Sequence, residues 1–260
     1  MTKQTIKNHD GQKIVVQVEK GKVPGKLAFV AHGLSGFKEQ KHIQSFAEAF
    51  QESGYTVVRW DTRNALGESD GKNEDATFDS YCQDFEDVVA WAKEQPWYVE
   101  PFVVSGHSLG SYCAARYAEL HPEQVKALAP IAVSVSGKLT HEAKRKTDPE
   151  QYEQWKRTGV LTRQSGSKPG TEIRVKWDLM ETGLKHDLLP DANKLTMPVL
   201  LIVGEEDTST PPETQKVFLN AIRAKRKELH VVPGVPHTPR SPEELKKFKE
   251  LLAQWLQKVD

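Results

Sequence analysis

The feature that most constrains the fold is a repeated alternation of short apolar runs with segments of helical periodicity. Parallel strands need a crossover connection between them, which a helix usually supplies. The alternation therefore predicts an α/β protein with a mostly parallel, eight-stranded sheet and helices on both faces. The predicted strands are residues 5–9, 13–19, 26–31, 55–60, 101–105, 125–135, 198–203 and 228–232.

The first two predicted strands are joined differently from the others. Asp10-Gly11-Gln12 separates them and is a hairpin signal, so the sheet is expected to begin with an antiparallel strand. Apolar residues at helical spacing predict the helical segments, and Pro and Gly mark some of their ends. These are residues 42–53, 77–95, 111–118, 211–224 and 242–259.

One long segment, residues 137–190, interrupts the alternation. It is charged, with more basic than acidic residues, and it contains Trp155 and Trp177. Because a structureless loop of this length is uncommon, we expect an insertion with its own elements, a helix over 147–157 and a strand over 172–180. The charges are typical of a solvated outer face. The two tryptophans are typical of a small core.

Composition limits the kinds of partner. The 260 residues carry 36 basic and 36 acidic side chains, so overall charge gives no support for a nucleic-acid partner or an anionic membrane. The sequence shows no apolar signal segment and no stretch long enough to span a bilayer, from which a cytoplasmic protein with a small-molecule substrate is expected. The sequence does not determine whether the protein forms a homodimer.

The two cysteines, Cys82 and Cys113, fall in predicted helices and match no metal-ligand spacing. They are expected to be free thiols in a reducing compartment, and no metal site is predicted.

The chemistry is concentrated in the pentapeptide Gly106-His107-Ser108-Leu109-Gly110. It follows a β-type run and precedes a helical pattern, the strand–turn–helix context of a nucleophile elbow. Small residues on both sides allow a serine to occupy a strained turn with its hydroxyl exposed. This context predicts Ser108 as the nucleophile, although a turn that happens to contain serine would give the same five letters.

A serine hydroxyl needs a base to remove its proton, and the base needs an acid to orient it. Asp207 follows the predicted strand 198–203, and His237 follows the last predicted strand, so both belong to loops at the carboxyl edge of the sheet. We therefore predict His237 as the base and Asp207 as the acid. Glu205 and Glu206 remain alternatives for the acid.

Acyl transfer also needs donors for the oxyanion. The expected donors are the backbone N–H groups of Leu109, directly after the nucleophile, and Leu34, in the loop after the third strand. Gly33 would permit a close backbone approach there. His32 is expected to support this loop, and the side chain of His107 is expected to point away from the reactive face of Ser108.

Joined together, these residues resemble the α/β-hydrolase superfamily. The resemblance covers nearly the whole chain and rests on His32-Gly33, the elbow, Asp207 and His237. Residues 31–38, residues 61–71 and the position of the insertion are similar to those of small lipase/esterase-like and serine-aminopeptidase-like hydrolases, including monoacylglycerol lipases and bacterial cinnamoyl (feruloyl) esterases.

The resemblance implies an α/β-hydrolase core of residues 1–136 and 191–260, with residues 137–190 as a cap over the active site. It implies no metal and no organic cofactor. The chain departs from its relatives at Asn64, where they often have glycine, and this leaves the conformation of the local turn open.

These residues predict a serine hydrolase that cleaves carboxylic esters of small or medium acyl groups through an acyl-enzyme. A peptidase or thioesterase with the same triad, and a non-catalytic ligand-binding protein on this scaffold, are the alternatives. Candidates for contact with the substrate are Gly33, His107, Trp155 and Trp177.

Overall fold

A computed structural model describes residues 1–259 of the chain. It contains ten strands, which are β1 (Thr2–Lys7), β2 (Lys13–Glu19), β3 (Leu27–Ala31), β4 (Thr56–Asp61), β5 (Phe102–His107), β6 (Val125–Ile131), β7 (Val160–Gln164), β8 (Glu172–Lys176), β9 (Val199–Gly204) and β10 (Lys227–Val232). The helices are α1 (Lys41–Glu52), α2 (Phe78–Lys93), α3 (Leu109–Leu120), α4 (Gly137–Thr147), α5 (Pro149–Thr158), α6 (Asp178–Gly183), α7 (Pro212–Ala221) and α8 (Pro242–Val259).

Eight strands form one sheet in the order β1-β2-β4-β3-β5-β6-β9-β10. β2 pairs antiparallel with both β1 and β4, and all the later neighbours are parallel. The predicted eight-stranded, mostly parallel sheet with an antiparallel start is therefore confirmed. Its parallel strands bring their carboxyl ends to one edge, where the connecting loops meet.

The two faces of the sheet bury separate cores because successive side chains of a strand point to opposite sides. In the fully buried strand β3, Leu27 and Phe29 belong to the cluster that includes α2 and α3. Ala28 and Val30 belong to the cluster that includes α1 and α8. The near-continuous apolar sequence of β3 is thus explained by burial on both faces.

Residues 137–190 form α4, α5, the antiparallel hairpin β7–β8 and α6. α5 begins after Asp148, whose side chain accepts a hydrogen bond from the Gln151 N–H at 3.0 Å, and it ends at Gly159 with a φ of 75°. The hairpin is fastened to the core, since Arg174 pairs with Glu74 and the Lys168 ammonium donates to the Leu66 carbonyl.

Two sequence predictions need correction here, and one helix lies where no element is predicted. The strand predicted over 125–135 ends at Ile131, because Ala132 turns the chain with a φ of 52°. The strand predicted over 172–180 ends at Lys176, and Asp178–Gly183 is helical. Helix α4, Gly137–Thr147, was not predicted, because its sequence is strongly polar and only Gly137 and Ala143 of it are buried.

The turn at Asn64 is compatible with asparagine. Asn64 adopts a left-handed φ of 63°, a conformation that asparagine tolerates better than most residues. Its side chain stabilises the loop by accepting from the Lys72 N–H at 2.9 Å and donating to the Asp75 carbonyl at 3.0 Å. The amide therefore replaces the conformational freedom of the usual glycine with two specific hydrogen bonds.

A buried ion pair joins this loop to α2. Arg63 Nε lies 2.7 Å from Asp84 Oδ1, and the Asp84 side chain is fully buried. Removing one partner of such a pair leaves an uncompensated charge. We expect Asp84→Ala to lower the free energy of unfolding in urea by about 3 kcal/mol. Glu86→Ala is the control, because Glu86 lies on the same helix and forms no ion pair within residues 1–259. An equal, small loss in both variants would contradict the interpretation.

The cysteines lie on neighbouring helices, Cys82 on α2 and Cys113 on α3, as unlinked thiols with their sulfur atoms 2.9 Å apart. Burial raises the pKa of Cys113. Over residues 1–259, none of the helices combines the length and the apolar character that crossing a bilayer would require.

Candidate active site

Ser108 lies at the sharp turn between β5 and α3. Its backbone has a φ of 55° and a ψ of −117°, a strained combination for a residue with a side chain. The Ser108 N–H donates a hydrogen bond to the Ile131 carbonyl oxygen at 2.9 Å. A Cβ on Gly110 would lie 2.3 Å from the His32 carbonyl oxygen, so only glycine fits there. The strand–turn–helix geometry predicted for the pentapeptide is present.

The three residues predicted to act together lie within hydrogen-bond distance of one another. Ser108 Oγ is 3.1 Å from His237 Nε2, and His237 Nδ1 is 2.8 Å from Asp207 Oδ2. Their order matches the template in which an acid orients a histidine toward a serine. Asp207 follows β9 and His237 follows β10, so two adjacent parallel strands deliver the acid and the base.

Asp207 is buried but strongly hydrogen-bonded. Burial alone would raise the pKa of Asp207, but His237 and the N–H and hydroxyl of Thr210 outweigh it and lower the pKa to about 2. The Thr210 N–H donates to Asp207 Oδ1 at 2.8 Å, and the Thr210 hydroxyl lies 2.7 Å from Asp207 Oδ2. Asp207 is therefore a carboxylate across the physiological pH range.

Thr210 is a site residue that the sequence analysis missed. Its position three residues after an aspartate, just before the proline that opens α7, is a recognisable signal, since threonine and aspartate in such turns often bond locally. Glu205 and Glu206, the alternative acids, are exposed, and Glu205 accepts instead from the Gly234 N–H. The structure brings Asp207, and neither glutamate, to His237.

The loop after β3 approaches the elbow closely. A Cβ on Gly33 would lie 3.0 Å from the His107 carbonyl oxygen and 3.1 Å from Ser108 Cβ. Leu34 and Leu109 line the same cavity as Ser108. The Leu109 N–H is at the first position of α3, where no intrahelical acceptor exists.

His32 and Lys38 hold this loop in place. The Thr62 N–H donates to His32 Nε2 at 3.1 Å, which assigns the ring proton to Nδ1 and directs it to the Gly33 carbonyl at 2.8 Å. Burial lowers the pKa of His32, so the ring stays neutral. The Lys38 ammonium bonds to Asp61 at 2.6 Å and Glu68 at 2.7 Å.

His107 lies behind His237. Its Nε2 donates to the His237 carbonyl at 2.8 Å, and the two ring centroids are 4.8 Å apart. Burial, and to a lesser extent the neighbouring His237, lower the pKa of His107 to about 3, so its ring is neutral at pH 7. The His107 side chain is directed toward the loop that carries His237, and His107 lines the same cavity as Ser108.

The cavity above Ser108 has a volume of about 200 Å³. Residues 137–190 provide most of its apolar wall, formed by Trp155, Leu161, Ile173, Val175, Leu179 and Met180. The core contributes Phe78 and the polar groups near Ser108. Three cationic side chains also line it, Lys144, Arg163 and Arg240. A cavity of this size suits a small molecule with an apolar part.

Of the two tryptophans predicted to contact substrate, the structure brings only Trp155 to the cavity. Trp177 is buried among aromatic neighbours instead, with its ring centroid 5.4 Å from that of Trp155 and 5.2 Å from that of Tyr152. Its indole N–H donates to Glu181 at 3.0 Å. Trp177 therefore serves as a core residue of the insertion and supports the Trp155 ring.

One group of carboxylates in the described chain has the spacing of cation ligands: Glu39, Asp61 and Glu68. The Lys38 ammonium occupies its centre, within 2.8 Å of Glu39 as well as of the other two. Lys38 and Lys3, whose ammonium lies 2.6 Å from Glu68, offset part of the negative charge of these carboxylates. The contacts of Lys38 anchor the loop that carries Gly33 and Leu34.

Comparison with known proteins places this geometry in a family context. The family described as "Serine aminopeptidase, S33" matches residues 23–158 and 165–241. A curated relative, an uncharacterized 31.7 kDa protein in the traX-finO intergenic region of Escherichia coli, is 26% identical over 250 residues, covering 85% of this chain and 86% of its own length.

Among solved structures, Est1E from Butyrivibrio proteoclasticus with bound ferulic acid has a TM-score of 0.79 at 24% identity, covering 98% of both chains. Mouse alpha/beta hydrolase domain-containing protein 10 has a TM-score of 0.80 at 19% identity over 100% of both chains. A monoacylglycerol lipase from Paleococcus ferrophilus has a TM-score of 0.69 at 19% identity, covering 94% of this chain and 99% of its own. These similarities show a shared α/β-hydrolase fold.

Proposed function

Because the chain belongs to the serine aminopeptidase, S33, family of α/β-hydrolases, we propose that it hydrolyses carboxylic esters through an acyl-enzyme on Ser108. The observation that carries the proposal is the continuous contact from Ser108 Oγ to His237, at 3.1 Å, and from His237 to Asp207, at 2.8 Å. A serine in this arrangement has a base within proton-transfer distance, and the base has a fixed orientation.

The reaction begins as Ser108 Oγ attacks the ester carbonyl carbon while its proton moves to His237 Nε2. Asp207 stabilises the imidazolium that forms and keeps its Nδ1–H directed toward the carboxylate. The tetrahedral intermediate then collapses, the bond to the alcohol oxygen breaks, and His237 returns the proton to the departing alcohol. Ser108 is left as an acyl ester.

Deacylation repeats these steps with water in place of the alcohol. His237 takes a proton from water as its oxygen attacks the acyl carbon, and then returns the proton to Ser108 Oγ as the acid leaves. The N–H groups of Leu34 and Leu109 are the proposed donors to the oxyanion in both acylation and deacylation. A donor of this kind typically contributes about a hundred- to a thousandfold to the rate.

The lining of the cavity favours an ester over an N-terminal peptide. A substrate with a free α-ammonium group would need a carboxylate for charge complementarity. Among residues 1–259, no Asp or Glu lines the cavity, whereas three cationic side chains do. We therefore place ester hydrolysis ahead of the aminopeptidase activity that the family description suggests.

We further propose that residues 137–190 act as a cap on a core of residues 1–136 and 191–260. The proposal is supported by the apolar residues that this segment contributes to the cavity, among them Trp155 and Met180. Its attachment to the core through Arg174 and Lys168 would hold that wall in position.

The proposed function is tested by covalent labelling. A fluorophosphonate ester should attach to one residue, Ser108, and abolish hydrolysis of p-nitrophenyl acetate and butyrate in proportion to the labelled fraction, as measured by intact mass and peptide mapping. Aminoacyl arylamides should be turned over far more slowly than the esters. Preferential turnover of the arylamides would reverse the order of the two activities.

His107 is proposed as a positioning residue for His237. His107→Phe removes the donor to the His237 carbonyl while keeping a ring, and we expect kcat to fall about tenfold with little change in KM, since one hydrogen bond is lost. His107→Gln can still donate and should recover part of this loss. Equal losses in both variants, with a matching loss of thermal stability, would indicate a merely structural role.

A further inference from the structure

Three cations line the cavity that contains Ser108, and Arg163 interacts with each of the other two. Lys144 comes from α4, Arg163 from β7, and Arg240 from the loop that follows His237. Lys144 is half-buried, while Arg163 and Arg240 remain exposed on part of their surface. The Arg240 guanidinium lies against Gly166, where a Cβ would be 2.3 Å from Nη2. Three distant segments of the chain therefore converge to place positive charge beside the site.

Within residues 1–259, none of these three side chains forms an ion pair. The nearest acidic groups are already engaged: Asp207 binds His237 and Thr210, and Glu244 accepts from the backbone N–H groups of Arg240 and Ser241. Asp148, the third acid close to the cluster, accepts the N-cap hydrogen bond of α5. The positive charge at the cavity thus lacks a direct partner.

Three other cations of residues 137–190 are bonded to groups outside the cavity. Arg174 pairs with Glu74, Lys176 pairs with Asp75, and the Lys168 ammonium bonds to the Leu66 carbonyl. Lys144, Arg163 and Arg240 line the cavity without an ion pair, and their like charges repel one another. Burial and the nearby Arg163 lower the pKa of Lys144. Partial burial and the nearby Arg240 lower the pKa of Arg163.

An anion in the cavity would relieve this repulsion and would complete the missing ion pairs. Charge-assisted hydrogen bonds to carboxylate or phosphate oxygens are stronger than neutral ones, and guanidinium groups bind both kinds of anion through two parallel N–H groups. The apolar wall that includes Trp155 and Met180 would accommodate the uncharged part of the same molecule. The volume of about 200 Å³ is sufficient for a small molecule with an apolar part and one charged group.

We propose that the cavity accepts an ester that carries a carboxylate or phosphate group remote from its scissile bond, selected by Lys144, Arg163 and Arg240. This inference rests on the esterase function proposed above and specifies its substrate class. The reaction would be unchanged, since the anionic group binds and takes no part in bond cleavage.

The wild-type enzyme provides the first test through matched pairs of esters. Mono(p-nitrophenyl) adipate is compared with methyl p-nitrophenyl adipate, which has the same length and no charge, and with the corresponding phosphonate. A second pair, p-acetoxybenzoate and methyl p-acetoxybenzoate, places the charge on the alcohol side of the acetyl ester. We expect at least one anionic ester to exceed its neutral partner about tenfold in kcat/KM, as one charge-assisted contact would give.

Single variants then assign the preference to the cluster. Lys144→Gln and Arg163→Gln should each reduce the ratio of anionic to neutral kcat/KM about threefold, and added salt should reduce it in the wild type because exposed charges are screened. Lys156→Gln is the matched control, because Lys156 carries the same charge on the same segment, is exposed and does not line the cavity.

Neutral esters hydrolysed as well as all their anionic partners would overturn the inference and leave the proposed esterase function intact. If no ester is hydrolysed, the proposed function fails, and calorimetric titration of Ser108→Ala with monomethyl and dimethyl adipate still measures the charge preference. Equal affinity for the two would overturn the inference, and tighter binding of the monoanion, lost in Arg163→Gln, would support it.

Discussion

Ser108→Ala is expected to lower kcat/KM for p-nitrophenyl esters about 10⁵-fold while the protein keeps its fold. The loss is large because Ser108 Oγ forms the covalent bond, and the remaining groups can only bind and polarise the ester. Alanine also removes little from the packing, since the strained turn is held by the backbone contact of Ser108 with Ile131. The steady-state rate of p-nitrophenolate release measures the loss of kcat/KM.

The control for this variant is Ser53→Ala, which removes a serine hydroxyl at the end of α1, far from β5 and α3 along the chain. It should retain wild-type turnover. Circular dichroism and thermal unfolding should show that Ser108→Ala is as well folded as the wild type. Substantial turnover in a folded Ser108→Ala protein would exclude the acyl-enzyme on Ser108.

Asp207→Asn is expected to lower kcat about 10³- to 10⁴-fold with a much smaller change in KM. The carboxylate accepts from His237 Nδ1, which keeps the Nε2 lone pair directed toward Ser108. An asparagine amide can donate to Nδ1 instead, and this would stabilise the tautomer whose Nε2 carries the proton. That tautomer cannot take a proton from the serine.

The low pKa of Asp207, about 2, adds a pH dependence to this prediction. Because the carboxylate is ionised at all pH values above about 4, titration of Asp207 itself should leave the wild-type activity unchanged between about pH 5 and 9. The lowered pKa also stabilises the folded protein above the unfolded pKa of about 3.9, and this contribution disappears as the pH falls toward 2.

Glu206→Gln is the matched control for the acid. Glu206 is adjacent to Asp207, is exposed, and was an alternative acid on sequence grounds. Its replacement should leave kcat within about twofold of the wild type, as is usual for a surface substitution. A loss in Glu206→Gln comparable with that in Asp207→Asn would reassign the acid.

The parts of the fold that the sequence predicted well are those with strong local signals. β3 and β9 are apolar throughout because both of their faces are buried, and α8 has a regular apolar stripe that ends in Trp255 and Leu256. Glycine and proline mark the ends of these elements. Where the periodicity is set by burial of one continuous face, the sequence is sufficient to identify the element.

The insertion was predicted less well, because its elements depend on tertiary contacts. α4 begins with the Ser136 cap but buries only Gly137 and Ala143, so it has little apolar periodicity to detect. In β8 the alternation of Ile173 and Val175 is clear, but it continues into Trp177, where the chain has already turned into α6. Alternating hydrophobicity alone did not locate that boundary.

The sequence by itself determined the order of strands and helices and the candidates Ser108, Asp207 and His237, because chain order and local turn chemistry are written in adjacent residues. Only the tertiary structure decided which groups meet. In the structure Asp207, and neither neighbouring glutamate, contacts His237, and Thr210 binds Asp207. Trp177 packs against Trp155 in the core of the insertion. Lys144, Arg163 and Arg240 line one cavity. Distances between residues far apart in the chain depend on how the sheet and the insertion pack, and no local pattern encodes that packing.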